Sequence, residues 1–204
     1  MARPQARQTA PLPPATLDRA EAVPALIERP RDFLIVAGLA GAAQELTALT
    51  EDAPNVFGLG GAMGAAPMMG LGLALARPDK RVLVVTGDGE LLMNLGALAS
   101  IAVMAPGNFA LICVDNAHYG ETGNQDSHTG LGVRLDQIAS GAGFPIVATI
   151  NTAADLPAGR RLLAEAGAPR FILLRVKDGP PPRIKREMQP AIVRTRFRAH
   201  TLDV

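Results

Sequence analysis

The chain has 204 residues, of which 48% are hydrophobic, 3% aromatic and 19% charged, with a formal net charge of +1. This length and apolar content predict one main domain whose core is built from small and aliphatic side chains. Because the net charge is close to zero, we expect neither a nucleic acid nor a membrane as a partner.

The cysteine content and the first residues indicate the cellular environment. The one cysteine, Cys113, lies in an apolar run and can neither form an internal disulfide nor alone hold an iron–sulfur cluster. No stretch of the sequence is long and apolar enough to span a bilayer, and residues 1–7 lack the apolar centre of a signal peptide. These features predict a cytoplasmic protein.

Helical segments alternate with short apolar runs along the chain. Residues 1–15 are rich in Pro, Ala and Arg and are predicted to be disordered, and Thr16 is predicted to cap the first helix. In chain order, helices are predicted over 16–28, 41–49, 65–77, 90–104, 135–141 and most of 152–166, and strands over 33–37, 55–57, 81–86, 109–114, 145–150 and 171–176.

This alternation implies a parallel sheet that is covered by helices on both faces. We therefore predict a three-layer α/β/α domain with a mostly parallel sheet over residues 16–176. A Pro-rich basic extension follows over residues 177–204. The extension has two open interpretations, a solvated tail or an arm that lies on a partner subunit.

Two of the predicted strands lead directly into polar residues. The run over 81–86 is followed by Gly87-Asp88-Gly89, and the run over 109–114 is followed by Asp115-Asn116. In an open α/β sheet, ligands bind at the carboxyl ends of the strands. A carboxylate and a carboxamide at that edge suit Mg²⁺, which is commonly completed by water and cofactor phosphates. The alternative is an ordinary turn in which Asp88 caps the next helix.

The order and spacing of these motifs resemble those of thiamine diphosphate-dependent enzymes. Residues 58–76 resemble the segment that precedes the Gly-Asp-Gly motif in acetolactate synthases and 2-oxoacid decarboxylases. Residues 119–129 are similar to the β subunits of sulfopyruvate decarboxylase and to phosphonopyruvate decarboxylases. The resemblance covers about residues 30–176 and implies the diphosphate-binding domain of the thiamine diphosphate-binding fold.

The resemblance implies a metal and cofactor site. Mg²⁺ would be bound by the side chains of Asp88 and Asn116 and by the main-chain carbonyl of His118. The motif glycines would let the backbone approach the diphosphate, and the start of the next helix would offer free N–H groups. The residues implied in cofactor binding are Gly61, Ala62, Met63, Gly87, Asp88, Gly89, Glu90, Asn116, His118, Tyr119 and Gly120.

The segment Gly61-Ala62-Met63 resembles the loop that holds the aminopyrimidine ring. Met63 stands where the family has a bulky apolar residue that keeps the cofactor bent, and the Gly61 carbonyl would accept a hydrogen bond from the exocyclic amine. The bend brings this amine close to the reactive carbon, where it can act as a base. The alternative for Met63 is simple filling of the core.

Two residues are candidates for catalysis, Glu121 and His128. Some 2-oxoacid decarboxylases carry a glutamate in this stretch, but one position later, where this chain has Thr122. An exposed loop carboxylate is therefore the alternative for Glu121. His128 lies in a Ser-His-Thr pattern similar to that of the family, and its alternative is an ordinary surface histidine. Asn124 and Gln125 are further candidates for the lining of the substrate pocket.

The function implied by the resemblance is that of a β subunit of a split enzyme. With thiamine diphosphate and Mg²⁺, it would decarboxylate a 2-oxo acid of the sulfopyruvate or phosphonopyruvate type to an aldehyde. Such enzymes need a second domain with a glutamate that activates the pyrimidine ring, and this chain has room for one domain. We therefore expect a pyrimidine-binding α subunit as partner, in an α₂β₂ or larger hetero-oligomer.

Three other functions are alternatives to a decarboxylase β subunit. A carboligase of the acetolactate-synthase type is the nearest enzyme, and a catalytically silent structural or regulatory subunit is the alternative without activity. Ferredoxin-linked 2-oxoacid oxidoreductases are disfavoured, because their thiamine-binding subunits commonly carry cluster cysteines.

Overall fold

A six-stranded parallel sheet forms the centre of the computed structural model, which describes residues 12–202. The strand order is β2-β1-β3-β4-β8-β7. The strands are β1 (Phe33–Ala37), β2 (Val56–Gly58), β3 (Arg81–Gly87), β4 (Phe109–Asp115), β7 (Ile146–Ile150) and β8 (Arg170–Arg175), and a small antiparallel pair consists of β5 (His118–Tyr119) and β6 (Gln125–Asp126).

Helices cover both faces of the sheet, so the predicted three-layer α/β/α fold is confirmed. One face packs against α1, α2 and α7, and the other packs against α3, α5 and α6. The helices are α1 (Arg19–Leu26), α2 (Ala40–Thr50), α3 (Ala66–Ala76), α4 (Asp88–Leu91), α5 (Gly96–Met104), α6 (Leu135–Gly141), α7 (Leu156–Ala164) and α8 (Pro190–Leu202). Within the described residues, none of these helices combines the length and apolar character that crossing a membrane requires.

The central strands β3 and β4 are buried on both faces because their apolar runs are continuous. Leu83 and Val85 point into one core cluster, whereas Val82 and Val84 point into the other. Such unbroken apolar runs are typical of parallel strands between two helical layers. The register places Gly87 of β3 opposite Val114 of β4, so the two strands end side by side at the same edge.

The segment after β3 differs from the single helix that the sequence predicts over 90–104. A helical turn starts at Asp88, a 3₁₀ turn follows over Leu92–Asn94, and α5 begins only at Gly96. The Asn94 side chain donates a hydrogen bond to the Gly64 carbonyl at 2.9 Å. This tertiary contact and the low helix propensity of Gly96 account for the interruption.

The first helix is also shorter than predicted, and Thr16 is not its cap. Asp18 caps α1, because its side chain accepts a hydrogen bond from the Ala20 N–H at 3.0 Å. Thr16 instead donates its hydroxyl proton to the Asn151 carbonyl at 3.0 Å. Pro24 lies inside the last turn of the helix. The disorder predicted for residues 1–15 falls mostly on residues 1–11, outside the described part.

The described part of the C-terminal extension packs against its own domain, which neither interpretation of the sequence anticipated. The Lys177 N–H donates to the Leu17 carbonyl at 2.8 Å. In α8, the Arg196 guanidinium donates two hydrogen bonds to the Asp52 carboxylate at 2.9 and 3.0 Å. The Phe197 ring meets the Phe57 ring edge-on at 5.5 Å. The extension therefore adds a layer of contacts near β2.

Candidate cofactor site

A cavity of about 460 Å³ opens at the edge where β3 and β4 end. Most of the side chains predicted from the sequence to bind a cofactor line this cavity, together with the catalytic candidate Glu121. These lining residues are Met63, Gly87, Asp88, Gly89, Glu90, Asn116, His118, Tyr119, Gly120 and Glu121. The structure therefore brings together residues from the Gly-rich loop, the Gly-Asp-Gly motif and the segment after β4.

Two buried carboxylates, a buried hydroxyl and a half-buried hydroxyl form a cluster next to the cavity, which Asp88 itself lines. Asp88 and Asp115 are 2% and 4% exposed. The Asp88 carboxylate accepts hydrogen bonds from the hydroxyls of Ser127 and Thr129, the latter at 3.0 Å. The Thr129 hydroxyl also lies 2.7 Å from Asp115 Oδ1. Burial and the nearby negative charge of Asp115 raise the pKa of Asp88 to about 6.

This cluster has more acceptors than protons. The Thr129 hydroxyl has one hydrogen and can serve Asp88 or Asp115, but not both at once. Arg175 is the nearby cation, and its Nε lies 3.8 Å from Asp115 Oδ2. The Ala117 N–H also donates to Asp115 Oδ1 at 3.0 Å. Two buried carboxylates that share one hydroxyl repel each other, and a divalent cation or a proton would relieve this repulsion. The carboxylate oxygens of this cluster are therefore suitable ligands for Mg²⁺.

An oxygen-rich site for Mg²⁺ would need ligands other than acidic side chains. Within residues 12–202, no three or more His, Cys, Asp or Glu side chains cluster in a way that could hold a metal ion. Asn116 and His118, whose amide oxygen and carbonyl are the ligands implied by the sequence resemblance, line the same cavity as Asp88. Amide and carbonyl oxygens are suitable ligands for this hard cation.

The amide of Asn116 is held by a residue that the sequence did not point to. Asn116 Nδ2 donates to Asp178 Oδ1 at 3.0 Å, and Asn124 Nδ2 donates to Asp178 Oδ2 at 2.7 Å. The hydrogen bond from Asn124 lowers the pKa of Asp178 below its usual value. His118 Nδ1 lies 2.8 Å from the Asn116 carbonyl, and this contact raises the pKa of His118.

Tyr119 lies against the Gly-Asp-Gly turn. A Cβ atom added to Gly89 would lie 2.5 Å from two carbons of the Tyr119 ring, so only a glycine permits this approach. The Tyr119 hydroxyl is 3.1 Å from His128 Nδ1. His128 is exposed and does not line the cavity, whereas Glu121 does. Of the two catalytic candidates, only Glu121 thus has direct access to the cavity.

Glu90 is buried and binds its own chain. Its Oε2 atom accepts hydrogen bonds from the Leu39 N–H at 3.0 Å and from the Thr86 hydroxyl at 2.7 Å. The Oε1 atom is buried without a hydrogen-bond partner. The side chain therefore fastens the turn after β1 to the end of β3, and this orients the first turn of α4 beneath the cavity.

The loop predicted to hold a pyrimidine ring is open to solvent. Gly61 and Ala62 are exposed and do not contribute to the cavity wall, whereas Met63 lines the cavity and is 36% exposed. This exposure disfavours core filling as the role of Met63. Gly61 has a φ of 148°, in the region that favours glycine, so the turn itself depends on this residue.

Several residues of the site were missed by sequence reasoning. Ser127 and Thr129 flank the candidate His128, and the pattern Ser-His-Thr was the available signal. Arg19 lines the cavity from α1, where its Nε is 3.0 Å from Glu45 Oε1. Neither Arg19 nor Asp178 stands in a motif, so nothing local in the sequence marked them.

The comparison with protein families agrees with this geometry. Residues 37–174 match the family described as thiamine pyrophosphate enzyme, C-terminal TPP binding domain. The matched region includes both strand ends, four complete strands of the central sheet (β2, β3, β4 and β7), β8 up to Leu174, and only the last residue of β1. The chain therefore belongs to the thiamine pyrophosphate enzyme family.

Curated relatives narrow the class further. The chain is 44% identical over 116 residues to sulfopyruvate decarboxylase subunit beta of Methanocaldococcus jannaschii, covering 57% of this chain and 61% of the relative. It is 35% identical over 175 residues to phosphonopyruvate decarboxylase of Streptomyces viridochromogenes, covering 85% of this chain and 43% of the relative. The chain thus spans about three fifths of the first relative and less than half of the second.

A solved structure shows the same fold. The thiamine diphosphate-dependent 4-hydroxybenzoylformate decarboxylase of Rhodococcus jostii superposes with a TM-score of 0.65 at 23% identity. The superposition covers 87% of this chain and 36% of that protein. At this identity the likeness supports the fold of the domain and nothing finer.

Proposed function

We propose that the chain is the diphosphate-binding β subunit of a thiamine diphosphate- and Mg²⁺-dependent 2-oxoacid decarboxylase. The observation that carries this proposal is that Asp88 and Asn116 follow neighbouring strands and line one cavity, and that a second buried carboxylate, Asp115, shares a hydroxyl partner with Asp88. The names of the curated relatives support the decarboxylase class.

The chain's own residues would hold the metal and the diphosphate. Asp88, the Asn116 side chain and the His118 carbonyl would bind Mg²⁺, and the metal would neutralise the Asp88–Asp115 pair. A Cβ atom added to Gly87 would meet no atom within 4 Å, so phosphate oxygens could approach the backbone here near the start of α4, whereas Gly89 accommodates the Tyr119 ring. Thiamine diphosphate, when bound, would supply the thiazolium ring that stores the electron pair left behind as carbon dioxide leaves the 2-oxo acid.

The remaining wall of the site would come from a pyrimidine-binding α subunit. The exposed loop of Gly61, Ala62 and Met63 is the side at which a second protein surface would face the cavity. The name "subunit beta" of the Methanocaldococcus jannaschii relative supports a partner. That α subunit would contribute the glutamate that activates the pyrimidine ring, in an α₂β₂ or larger hetero-oligomer.

The proposed substrates are 2-oxo acids with a second anionic group, sulfopyruvate or phosphonopyruvate. This choice is supported by the substrates named in the curated relatives. The product would be the corresponding aldehyde. Glu121, on the cavity wall, is the candidate within this chain for contact with the reacting carbons, and His128 would act on Tyr119 rather than on substrate.

The decisive experiment is co-expression with a candidate α subunit encoded next to this chain. The purified complex is supplied with thiamine diphosphate and Mg²⁺, and carbon dioxide release is measured for a panel of 2-oxo acids. Release from sulfopyruvate or phosphonopyruvate, and its loss in the Asp88→Ala complex, is the expected result.

Other outcomes point to the alternatives. A complex that binds the cofactor and consumes 2-oxo acids with formation of a new carbon–carbon bond would be a carboligase of the acetolactate-synthase type. A complex that assembles but binds no thiamine diphosphate would contradict the proposal and identify a structural or regulatory subunit.

A further inference from the structure

The segment that follows β8 lines the cavity and is held by hydrogen bonds at two points. We call residues 177–181 the C-terminal strap. The strap starts where Val176 donates its N–H to the Asp115 carbonyl at 2.9 Å, next to the end of β4. Further along, the Gly179 carbonyl accepts a hydrogen bond from Arg19 Nη2 at 2.9 Å. Asp178 lies between these two anchors and faces the cavity.

The carboxylate of Asp178 binds two amides from two different segments. One oxygen accepts from Asn116 at 3.0 Å, and the other accepts from Asn124 at 2.7 Å. Asn116 directly follows β4, whereas Asn124 lies in the loop between β5 and β6, with a φ of 59°. A single side chain thus joins the strap, the loop beside the cavity and the proposed metal ligand.

The chemistry of these partners fixes the orientation of the Asn116 amide. An ionised carboxylate can only accept hydrogen bonds, so the NH₂ end of the amide must face Asp178. The amide oxygen then faces away from Asp178, where it accepts a long hydrogen bond from the His118 N–H at 3.4 Å and keeps a second lone pair for a cation. If the amide rotated by half a turn, it would present N–H groups to the metal and an oxygen to the carboxylate, and both contacts would be repulsive.

We propose that Asp178 is a positioning residue for the metal site: it sets the Asn116 amide for coordination and fastens the loop of residues 120–124 over the cavity. The metal part of this inference depends on the proposed function. The loop part does not, because its contacts are within the chain. Partners that orient a metal ligand typically change metal affinity by 10–100-fold when they are removed.

The test uses the full chain assembled with its α subunit, with Mn²⁺ as the probe in the presence of thiamine diphosphate. The dissociation constant of Mn²⁺ is measured by electron paramagnetic resonance for the wild type, Asp178→Ala and Asp178→Asn. We expect Asp178→Ala to weaken Mn²⁺ binding about tenfold or more. Asp178→Asn keeps one acceptor oxygen and should fall between the wild type and Asp178→Ala.

The loop is tested separately by limited proteolysis with a glutamate-specific protease, which can cut after Glu121. Asp178→Ala should be cut at this site several times faster than the wild type, with or without metal. Asn124→Ala removes only the loop contact, so it should raise cleavage while weakening Mn²⁺ binding less than Asp178→Ala does. Asp79→Asn, a carboxylate change at an exposed site beside Arg77, is the matched control.

The outcomes separate this inference from the proposed function. Unchanged Mn²⁺ affinity and unchanged cleavage in Asp178→Ala would overturn the positioning role while leaving the decarboxylase proposal intact. A wild-type complex that binds neither Mn²⁺ nor thiamine diphosphate would overturn the proposed function and the metal part together. The cleavage comparison would then still decide whether Asp178 fastens the loop.

Discussion

The two halves of the cavity differ in how completely this chain builds them. The half at the ends of β3 and β4 is buried and densely hydrogen-bonded, with Asp88 2% exposed and Asp115 4% exposed. The half formed by the Gly-rich loop is open, since Gly61 and Ala62 are exposed and Met63 is 36% exposed. Under the proposed function, the buried half would hold the metal and the diphosphate with residues of this chain alone. The ring of the cofactor would need a second surface.

The largest effect is expected from Asp88→Ala in the buried half. Loss of the only fully buried carboxylate among the proposed metal ligands should weaken Mg²⁺-dependent thiamine diphosphate binding by more than about 100-fold. The fold should remain, because the substitution also removes the repulsion with Asp115. Isothermal titration of the assembled complex measures the binding, and circular dichroism monitors the fold. Unchanged cofactor affinity would exclude Asp88 as a ligand.

Substitution of Thr129 tests whether its hydroxyl stabilises the pair of buried carboxylates by hydrogen bonding. Thr129→Val leaves Asp88 and Asp115 with one donor fewer, so the metal-free chain should lose about 1–3 kcal/mol of stability. Urea unfolding in the presence of a chelator measures this loss. Thr195→Val on the exposed face of α8 is the matched control and should stay within about 0.5 kcal/mol of the wild type. Equal behaviour of the two variants would show that the cluster is satisfied without Thr129.

Proton competition at Asp88 provides a third test of the buried half. The pKa of Asp88 is raised to about 6 by burial and by Asp115, and a metal can bind only the ionised carboxylate. The apparent Mg²⁺ affinity should therefore fall about tenfold per pH unit below about pH 6 and level off above it. Metal titrations of the complex between about pH 5 and 8 measure this slope. Titration of free thiamine diphosphate under the same conditions separates the protonation of the cofactor.

The raised pKa of Asp88 also makes the stability of the metal-free protein depend on pH. Because the pKa of Asp88 is higher in the folded state than its ordinary value of 3.8, folding favours the protonated carboxyl. The associated stability is fully present below pH 3.8 and is lost as the pH rises through about 6. Saturating Mg²⁺ and cofactor should reverse this loss. A metal-free chain whose stability does not change over this interval would contradict the raised pKa.

The parts of the site that the sequence predicted are those that depend on local order. An apolar run followed by Gly-Asp-Gly or Asp-Asn marks a strand end, and neighbouring parallel strands end at one edge, so Asp88 and Asn116 could be placed together. Ser127 lies 39 residues from its partner Asp88, and Asp178 lies 62 residues from Asn116. Contacts across such separations depend on the strand order, which the alternation of helices and strands does not determine.

The helix boundaries likewise depend on long-range contacts that the local sequence does not predict. Periodicity predicted one helix over 90–104, but the helix is interrupted at Asn94, whose side chain donates a hydrogen bond to the Gly64 carbonyl in the Gly-rich loop. That contact belongs to tertiary packing rather than to the local sequence. The role of the Gly61-Ala62-Met63 loop was implied by resemblance. Its exposure to solvent depends on its position in the fold and could not be predicted from the local sequence.

The smallest effect is expected from Met63→Ala in the open half, and it sharpens the comparison most directly. If Met63 packs against the cofactor ring in the assembled complex, its loss should weaken thiamine diphosphate binding by about tenfold, equivalent to about 1.4 kcal/mol. Binding of inorganic pyrophosphate with Mg²⁺ should stay unchanged, because that ligand occupies only the buried half.

Met93→Ala is the matched control for Met63→Ala, since Met93 is 58% exposed and does not line the cavity. Equal weakening of pyrophosphate and thiamine diphosphate by Met63→Ala would show that Met63 shapes the metal half instead. No weakening of either ligand would remove Met63 from the site. A selective loss of thiamine diphosphate would mean that the two halves bind separate parts of one ligand, one prepared by this chain and one completed by a partner.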